Sequence, residues 1–466
     1  MALKEPGRRG TDARGVERRI VLLVFVVAFA LCALLTKAHV TGWNDGSRFA
    51  TVDALTSNHT FAIDGSPFTN GLGDKIRVRG ITYSDKPPLL AIAGAGIATV
   101  LGLFGISLRH TPGTAIYLIT LLTIGGAFGV GCAYAYAFAR RLGFGRRLAM
   151  SAAALTGVGT LVLPYATVFT NHVPCGAAAL AGAYHLVRAR DGAGRQAAVA
   201  GAFFALSYAC DAAGAVFALT AAMLLWGLPL RSWVLCALAG LPFVVLQLAY
   251  NHAITGSVMP PVFNARVWSD PSLPLHSWSS QVFEIYSPAD YAGFAVNLLV
   301  GAKGLFSFTP VMLVAAGGFV VMLRAEGVAR RVAIAVLTTF GVYFLLIVFL
   351  QNDLFARNFG ERRYVDQFFL LGTAFAPALA AVRGLFASLA VRLVCAVSVA
   401  IAALGTIVPF GGGPGESGLV FGPAAFVSLA QRAHVSAVAD VVLLLVLLAL
   451  IEWLVPLPAS PRPQRA

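Results

Sequence analysis

The sequence predicts an all-α polytopic membrane protein of about 12 transmembrane helices, on three observations. Of its 466 residues, 58% are hydrophobic and only 12% charged, against roughly 25% charged in ordinary soluble domains. Mean hydropathy is +0.80. The apolar residues fall in runs of spanning length, separated by short polar intervals. No soluble fold of this length hides so much apolar surface. The net charge of +14 would suggest nucleic acid as a partner of a soluble chain. Here most Lys and Arg stand between apolar runs, where they orient the chain in a bilayer, so nucleic acid is set aside. The six cysteines (32, 132, 175, 210, 236 and 395) lie inside apolar runs and form no Cys-x-x-Cys pair. They read as small buried hydrophobes, not a disulfide or metal framework.

Residues 1–19 carry Lys4, Arg8, Arg9, Arg14, Arg18 and Arg19, a frayed basic tail that keeps the N-terminus cytoplasmic. Residues 20–37 span outward as a retained helix, since no small-residue cleavage site follows them. The first extracytoplasmic loop is then 38–112. Within it, 88–107 is apolar enough to cross. If it crossed, Arg140, Arg141, Arg146 and Arg147 would fall outside, against the positive-inside rule at its strongest cluster. Its Pro and Gly content also argues against a clean span, so 88–107 is read as a juxtamembrane or re-entrant arm. The runs 113–138, 149–168, 173–188, 196–210, 212–230, 233–251, 307–323, 332–350, 366–382, 393–409 and 435–454 then alternate across the membrane. Arginines mark the inside loops and both termini are cytoplasmic. The chain is a single transmembrane domain, 1–466, with large outer loops at 38–112 and 252–306. Further outer loops lie at 351–365 and 410–434. The protein is placed as multi-pass in a cell's inner (plasma) membrane, with its chemistry on the extracytoplasmic face.

The polar interval Trp43–Leu89 holds the densest set of charges. Phe49, Val52 and Leu55 give one apolar helical face after Asp45. Asp45 is therefore either an N-terminal cap or a general base with Arg48 one turn on. Asp85 and Lys86 precede Pro87-Pro88, which stiffens the chain and presents both side chains rigidly. The alternative is a snorkelling interface lysine with its counter-ion. Asn171-His172 lies at the outer end of a helical hairpin, a satisfied turn or a contact to substrate. Asp211 is an ionisable residue near the membrane, a functional candidate by position. His252 ends another helix and is a weak metal ligand candidate. Lys303 stands in a Gly-rich turn before Pro310. Arg357, Arg362 and Arg363, beside Tyr364, break the orientation rule on the outer face and need either a phosphate or internal pairing with Asp353, Glu361 and Asp366. Asp53, Asp64, Asp74 and the Lys75–Arg79 cluster read as solvated surface. There is no Walker A, His-Glu-x-x-His or Gly-x-Ser-x-Gly motif.

Two first-loop motifs, Asp45-Gly46-Ser47-Arg48-Phe49 and Tyr83-Ser84-Asp85-Lys86-Pro87-Pro88-Leu89, resemble the GT-C membrane glycosyltransferases. The resemblance is to the branch of the bacterial lipid A aminoarabinose transferases and protein O-mannosyltransferases. Gly304–Pro310 and Arg363-Tyr364 look like later landmarks of the same group. The resemblance implies transfer of a sugar from a polyprenyl-phosphate donor to a lipid, protein or glycan acceptor hydroxyl on the outer face, with inversion. By motif position Asp45 would be the base. Arg48 and Lys86 would hold the carrier phosphate, and Asp85 would organise the site, in some relatives through a divalent metal. Tyr83, Asn171, His172, Lys303, Arg362, Arg363 and Tyr364 complete the expected substrate contacts. No cofactor is required by this reading, and metal use is left open. Gly46 and Asn171-His172 stand where many relatives have acids, which leaves metal use and acceptor type unsettled. The runner-up is a transporter or flippase of a lipid-linked or anionic solute. That class shows repeated halves around a midplane site, and no repeat is visible here.

Overall fold

The computed structural model describes residues 7–192, 194–261, 287–301, 303–350, 358–407 and 409–410, with side chains from residue 15. The chain is helical almost throughout. In order the helices are α1 (Gly7–Leu35), α2 (Trp43–Asn58), α3 (Leu89–Gly102), α4 (Pro112–Thr120), α5 (Gly126–Arg141), α6 (Arg146–Val158), α7 (Val162–Tyr165), α8 (His172–Ala189), α9 (Arg195–Cys210), α10 (Phe217–Leu225) and α11 (Leu230–Thr255). They continue as α12 (Pro288–Val300), α13 (Leu305–Phe308), α14 (Met312–Arg324), α15 (Val328–Leu350), α16 (Val365–Leu371), α17 (Phe375–Ala381) and α18 (Leu385–Gly405). A π-turn at Leu121–Gly125 joins α4 to α5 into one helix.

Seven helical stretches among the described residues are long and apolar enough to cross a membrane, from Gly15–Leu35 to Leu385–Gly405. The expected spans 149–168, 173–188, 196–210, 212–230 and 307–323 coincide with shorter or less apolar helices, and 435–454 lies outside the described residues. One crossing-length stretch, Pro288–Phe308, falls where a loop was expected. The N-terminal segment also differs from expectation, being helical from Gly7. Glu17 accepts hydrogen bonds from Tyr136 at 2.7 Å and from Arg140 at 2.7 Å, and pairs with Arg146 at 3.3 Å. The start of α1 and the α5–α6 turn therefore lie at one end of the bundle.

The surface explains the composition. Leu230, Val234, Leu238, Leu241 and Val245 form an exposed apolar stripe along α11, a face made for lipid. Helix α8 lies at the centre and is buried over nearly its whole length. Its alanines and glycines let α5, α9 and α16 approach closely. Helix α3 has 14 residues, about 21 Å, too short for the roughly 30 Å of hydrocarbon. One face, with Leu90, Ala91 and Gly94, packs on the bundle, while Val100, Leu103 and Phe104 are exposed.

The first loop also contains a β-hairpin that the helical reading did not anticipate. Strand β1 (Lys75–Val78) pairs antiparallel with β2 (Ile81–Ser84), with Lys75 opposite Ser84 and Val78 opposite Ile81. Arg79 and Gly80 form the turn, both at positive φ (53° and 82°). That is the two-residue geometry whose twist matches the strands. Ile76 is buried against Tyr250 and Ile254, with Tyr83 and Phe61 beside them.

Candidate active site

The hairpin determines who meets whom. Because Lys75 faces Ser84, the residues just outside the pair, Asp74 and Asp85, stand across from each other at the mouth. Lys86 Nζ bridges them, 2.8 Å from Asp74 Oδ2 and 2.9 Å from Asp85 Oδ2. Ser47 of α2 ties the hairpin down, donating to the Asp74 carbonyl at 2.5 Å and meeting Ser84 Oγ at 2.6 Å. Asp74 is therefore a buried member of the site and not solvated surface. Burial raises its pKa, but Lys86, Arg362 and Arg48 outweigh that and hold it below the usual value. Burial wins at Asp85, whose pKa is raised despite Lys86. Asp85 Oδ1 is buried without a hydrogen-bond partner. Asp53 is also buried, in a two-point ion pair with Arg109 at 2.9 and 3.0 Å. Asp64 is exposed and holds Thr82, so only part of the surface reading stands.

Arg48, one turn after Asn44 on α2, is buried to 1% exposure. Its Nη1 donates to the Asn44 carbonyl at 2.8 Å, and its Nη2 to Asn171 Oδ1 at 2.6 Å. Burial lowers its pKa to about 10, against the opposing pull of Asp211, Asp85 and Asp74. It stays charged at neutral pH.

A second half of the site is built by three helices. Asn171 and His172 begin α8, and Asp211 follows the end of its antiparallel neighbour α9, so the three meet at one end of the hairpin. Asn171 Nδ2 donates to Asp211 Oδ2, so Asn171 joins Arg48 to Asp211. The third helix is α16, whose Asp366 Oδ1 lies 2.9 Å from His172 Nδ1. Gly176, one turn into α8, permits this approach: a Cβ there would stand 2.7 Å from the Asp366 carbonyl oxygen. Asp211 Oδ2 lies 3.5 Å from the same His172 nitrogen. The candidate ligand atoms of His172, Asp211 and Asp366 all lie within 4.8 Å of one another. Arg362 adds its charge to the field at Asp74 and His172, and its guanidinium lies 5.8 Å from the Phe410 ring centroid.

Of the expected site residues, Arg48, Asp85, Lys86, Asn171, His172 and Arg362 converge. Others do not. The carboxylate of Asp45 is 1% exposed and occupied by four donors: Thr41 N at 2.7 Å, Thr41 Oγ1 at 2.8 Å, Gly42 N at 2.8 Å and Gly46 N at 3.0 Å. Those use the acceptor capacity of a carboxylate and cap α2, leaving no lone pair for an acceptor proton. Arg363 is held by Glu361 through a bidentate pair at 2.6 and 2.8 Å, the internal-pairing alternative. Tyr364 is fully buried and its hydroxyl donates to the Leu298 carbonyl at 3.2 Å, which makes it core. Tyr83 packs beside Tyr250 on the hairpin. Lys303 is half-buried in the turn before α13. His252 is exposed on α11 and belongs to no metal-type cluster among the described residues. Asp85, the other expected metal candidate, is engaged by Lys86. Asp353 and Arg357 lie outside the described residues.

Asp45→Ala is accordingly expected to cost about 1 kcal/mol of stability, the value of a cap, and to leave specific activity of the folded fraction within about threefold. Thermal melts in detergent, paired with turnover per folded molecule, check this. A loss of 10²-fold or more in a folded variant would return Asp45 to the chemistry.

No family model and no curated protein matches the chain. Among solved structures it is similar to the Archaeoglobus fulgidus oligosaccharyltransferase, crystallised in complex with Zn and sulfate. The TM-score is 0.51 at 14% identity, covering 95% of this chain and 58% of that one. It is also similar to ArnT from Cupriavidus metallidurans bound to undecaprenyl phosphate. There the TM-score is 0.44 at 15% identity, covering 96% of this chain and 76% of that one. The chain thus spans less than two thirds of the oligosaccharyltransferase. At such identities the likeness is one of fold: the chain has the GT-C fold of membrane glycosyltransferases.

Proposed function

We propose that the protein is a glycosyltransferase that takes a sugar from a polyprenyl-phosphate donor and passes it to an acceptor hydroxyl on the extracytoplasmic face. The observation that carries this reading is the gathering of Arg48, Lys86 and Arg362 with unspent carboxylate oxygen beside an apolar arm too short to span. A lipid-linked donor stays in the bilayer, so its phosphate must be met by cations at headgroup height. Helix α3, running directly from Lys86 through Pro87-Pro88, supplies an apolar wall for the chain of such a lipid.

In the proposed step the acceptor oxygen attacks the anomeric carbon and forms the new glycosidic bond. The bond from that carbon to the phosphate oxygen breaks, and its electron pair leaves with polyprenyl phosphate. The acceptor proton passes to Asp85, the carboxylate with an unpartnered oxygen, whose raised pKa suits a general base. Lys86 and Arg362 face the departing phosphate, and Arg48 supports them from behind with its buried charge. Attack opposite the leaving group inverts the anomeric centre.

The phosphate reading is tested by lipid binding. Purified protein in detergent is titrated with undecaprenyl phosphate and with undecaprenol, and retention is read by native mass spectrometry. Preferential retention of the phosphate, reduced about tenfold by Lys86→Ala or Arg362→Ala, is expected. Equal retention of the alcohol would overturn it.

A further inference from the structure

We propose that His172, Asp211 and Asp366 form a binding site for a divalent transition-metal cation of the zinc or manganese class. The first argument is donor geometry. His172 Nδ1 lies 2.9 Å from an Asp366 oxygen and 3.5 Å from an Asp211 oxygen. Donors about 2.0–2.2 Å from a tetrahedral zinc stand about 3.3–3.6 Å from one another: the Asp211 separation is that of ligands sharing an ion, and the Asp366 pair, a hydrogen bond as it stands, has only to open by about half an ångström. A single imidazole N–H cannot satisfy both carboxylates, because it carries one proton.

The second argument is the unpartnered polar atoms. His172 is 6% exposed and Asp366 1% exposed. Yet His172 Nε2 and Asp366 Oδ2 are both buried without a hydrogen-bond partner. The Cys175 thiol and the Tyr343 hydroxyl are within hydrogen-bonding reach of the Asp366 carboxylate, and each has another partner. The Tyr343 hydroxyl donates to the Arg363 carbonyl at 3.0 Å, and the Cys175 thiol meets Ser207 Oγ at 3.1 Å. A buried carboxylate oxygen left in this way is costly, and a cation held by His172 Nδ1 would engage Asp366 Oδ2.

The third argument is charge. Across the whole buried cluster Arg48, Lys86 and Arg362 face Asp74, Asp85, Asp211 and Asp366, three cations to four carboxylates. A buried acid without a counter-charge is strongly unfavourable. A divalent ion converts the excess of one negative charge into an excess of one positive, which also favours a phosphate nearby. Asn171, bonded to both Arg48 and Asp211, is the outer support that fixes the Asp211 carboxylate. One imidazole and two carboxylates suit zinc or manganese better than the all-oxygen shell that calcium takes. Metal binding here does not rest on the sugar-transfer reading.

The test uses the full chain, purified without a polyhistidine tag and stripped with chelator. Zn²⁺ and Mn²⁺ are then titrated by calorimetry, with bound metal counted by mass spectrometry. One equivalent is expected, with a rise in Tm. His172→Gln, Asp211→Asn and Asp366→Asn should each weaken binding by about 100-fold, and Asn171→Ala by about tenfold. His252→Ala, on an exposed histidine, should bind as the wild type does. The Tm rise in wild-type protein keeps the test decisive should a ligand variant fail to fold. Stripped protein that takes up neither metal, or ligand variants that bind undiminished, would overturn the proposal. Glycosyl transfer that fails while the metal still binds would count against the enzyme reading alone.

Discussion

Arg48→Met is expected to lower kcat/KM for a polyprenyl-phosphate-linked sugar by about 10²–10³-fold, the loss that follows removal of one preorganised charge that stabilises developing negative charge, here from behind Lys86 and Arg362. It should also destabilise the fold. Arg48 is the most deeply buried of the three cations, at 1% exposure, and its field opposes Asp211, Asp85 and Asp74. Removing one partner of a buried charge cluster costs about 3–5 kcal/mol. Arg48→Lys separates the two effects. Lysine keeps the charge but cannot hold the Asn44 carbonyl and Asn171 together as a planar fork does. The lysine variant should therefore recover more stability than turnover. Recovery of full turnover would mean that only the charge matters and that the link to Asn171 is idle.

Asp85→Asn is expected to reduce turnover by about 10²–10⁴-fold with little change in fold. Asparagine is isosteric, and Lys86 retains Asp74 as a partner. The pH dependence makes this sharper. Burial raises the pKa of Asp85 above the ordinary value, with Lys86 pulling the other way. A base works only when ionised, so activity should fall as pH drops through that raised value, higher than the usual carboxylate near pH 3.9. Asp74 and Asp85 share Lys86, so the midpoint belongs to the pair. In Asp85→Asn the acid limb should flatten while residual activity persists. An acid limb at the same midpoint in that variant would assign it to another group.

What could be read in the sequence follows from how local each signal was. The bundle was legible because a span is one uninterrupted apolar run. Arg48, Asp85 and Lys86 were legible because their setting, a helix turn and a Pro-Pro corner, is built from adjacent residues. Asp45 lay in the same motif, but a carboxylate three positions into a helix serves the cap as readily as chemistry. Four donors at 2.7–3.0 Å decide for the cap. Asp74 was missed with the hairpin, although Ile76, Val78, Ile81 and Tyr83 around Arg79-Gly80 are a strand–turn–strand pattern that could have found it. The pairing of His172 with Asp366 spans 194 positions and depends on Gly176 admitting α16. No local pattern carries that information. Tyr364 shows the opposite error, an aromatic beside two arginines that turned out to face the core.

The most direct measurement is turnover itself. Purified protein in detergent or nanodiscs would be given polyprenyl-phosphate-linked sugar, labelled on the sugar, with a lipid, peptide or glycan acceptor. Release of polyprenyl phosphate and the anomeric configuration of the product would be followed. The account predicts stoichiometric release of lipid phosphate with transfer of one sugar, inversion at the anomeric carbon, and release and transfer slowed together by about 10²–10⁴-fold in Asp85→Asn. Movement of the intact lipid-linked sugar across a proteoliposome bilayer, with no cleavage of the sugar–phosphate bond, would contradict it.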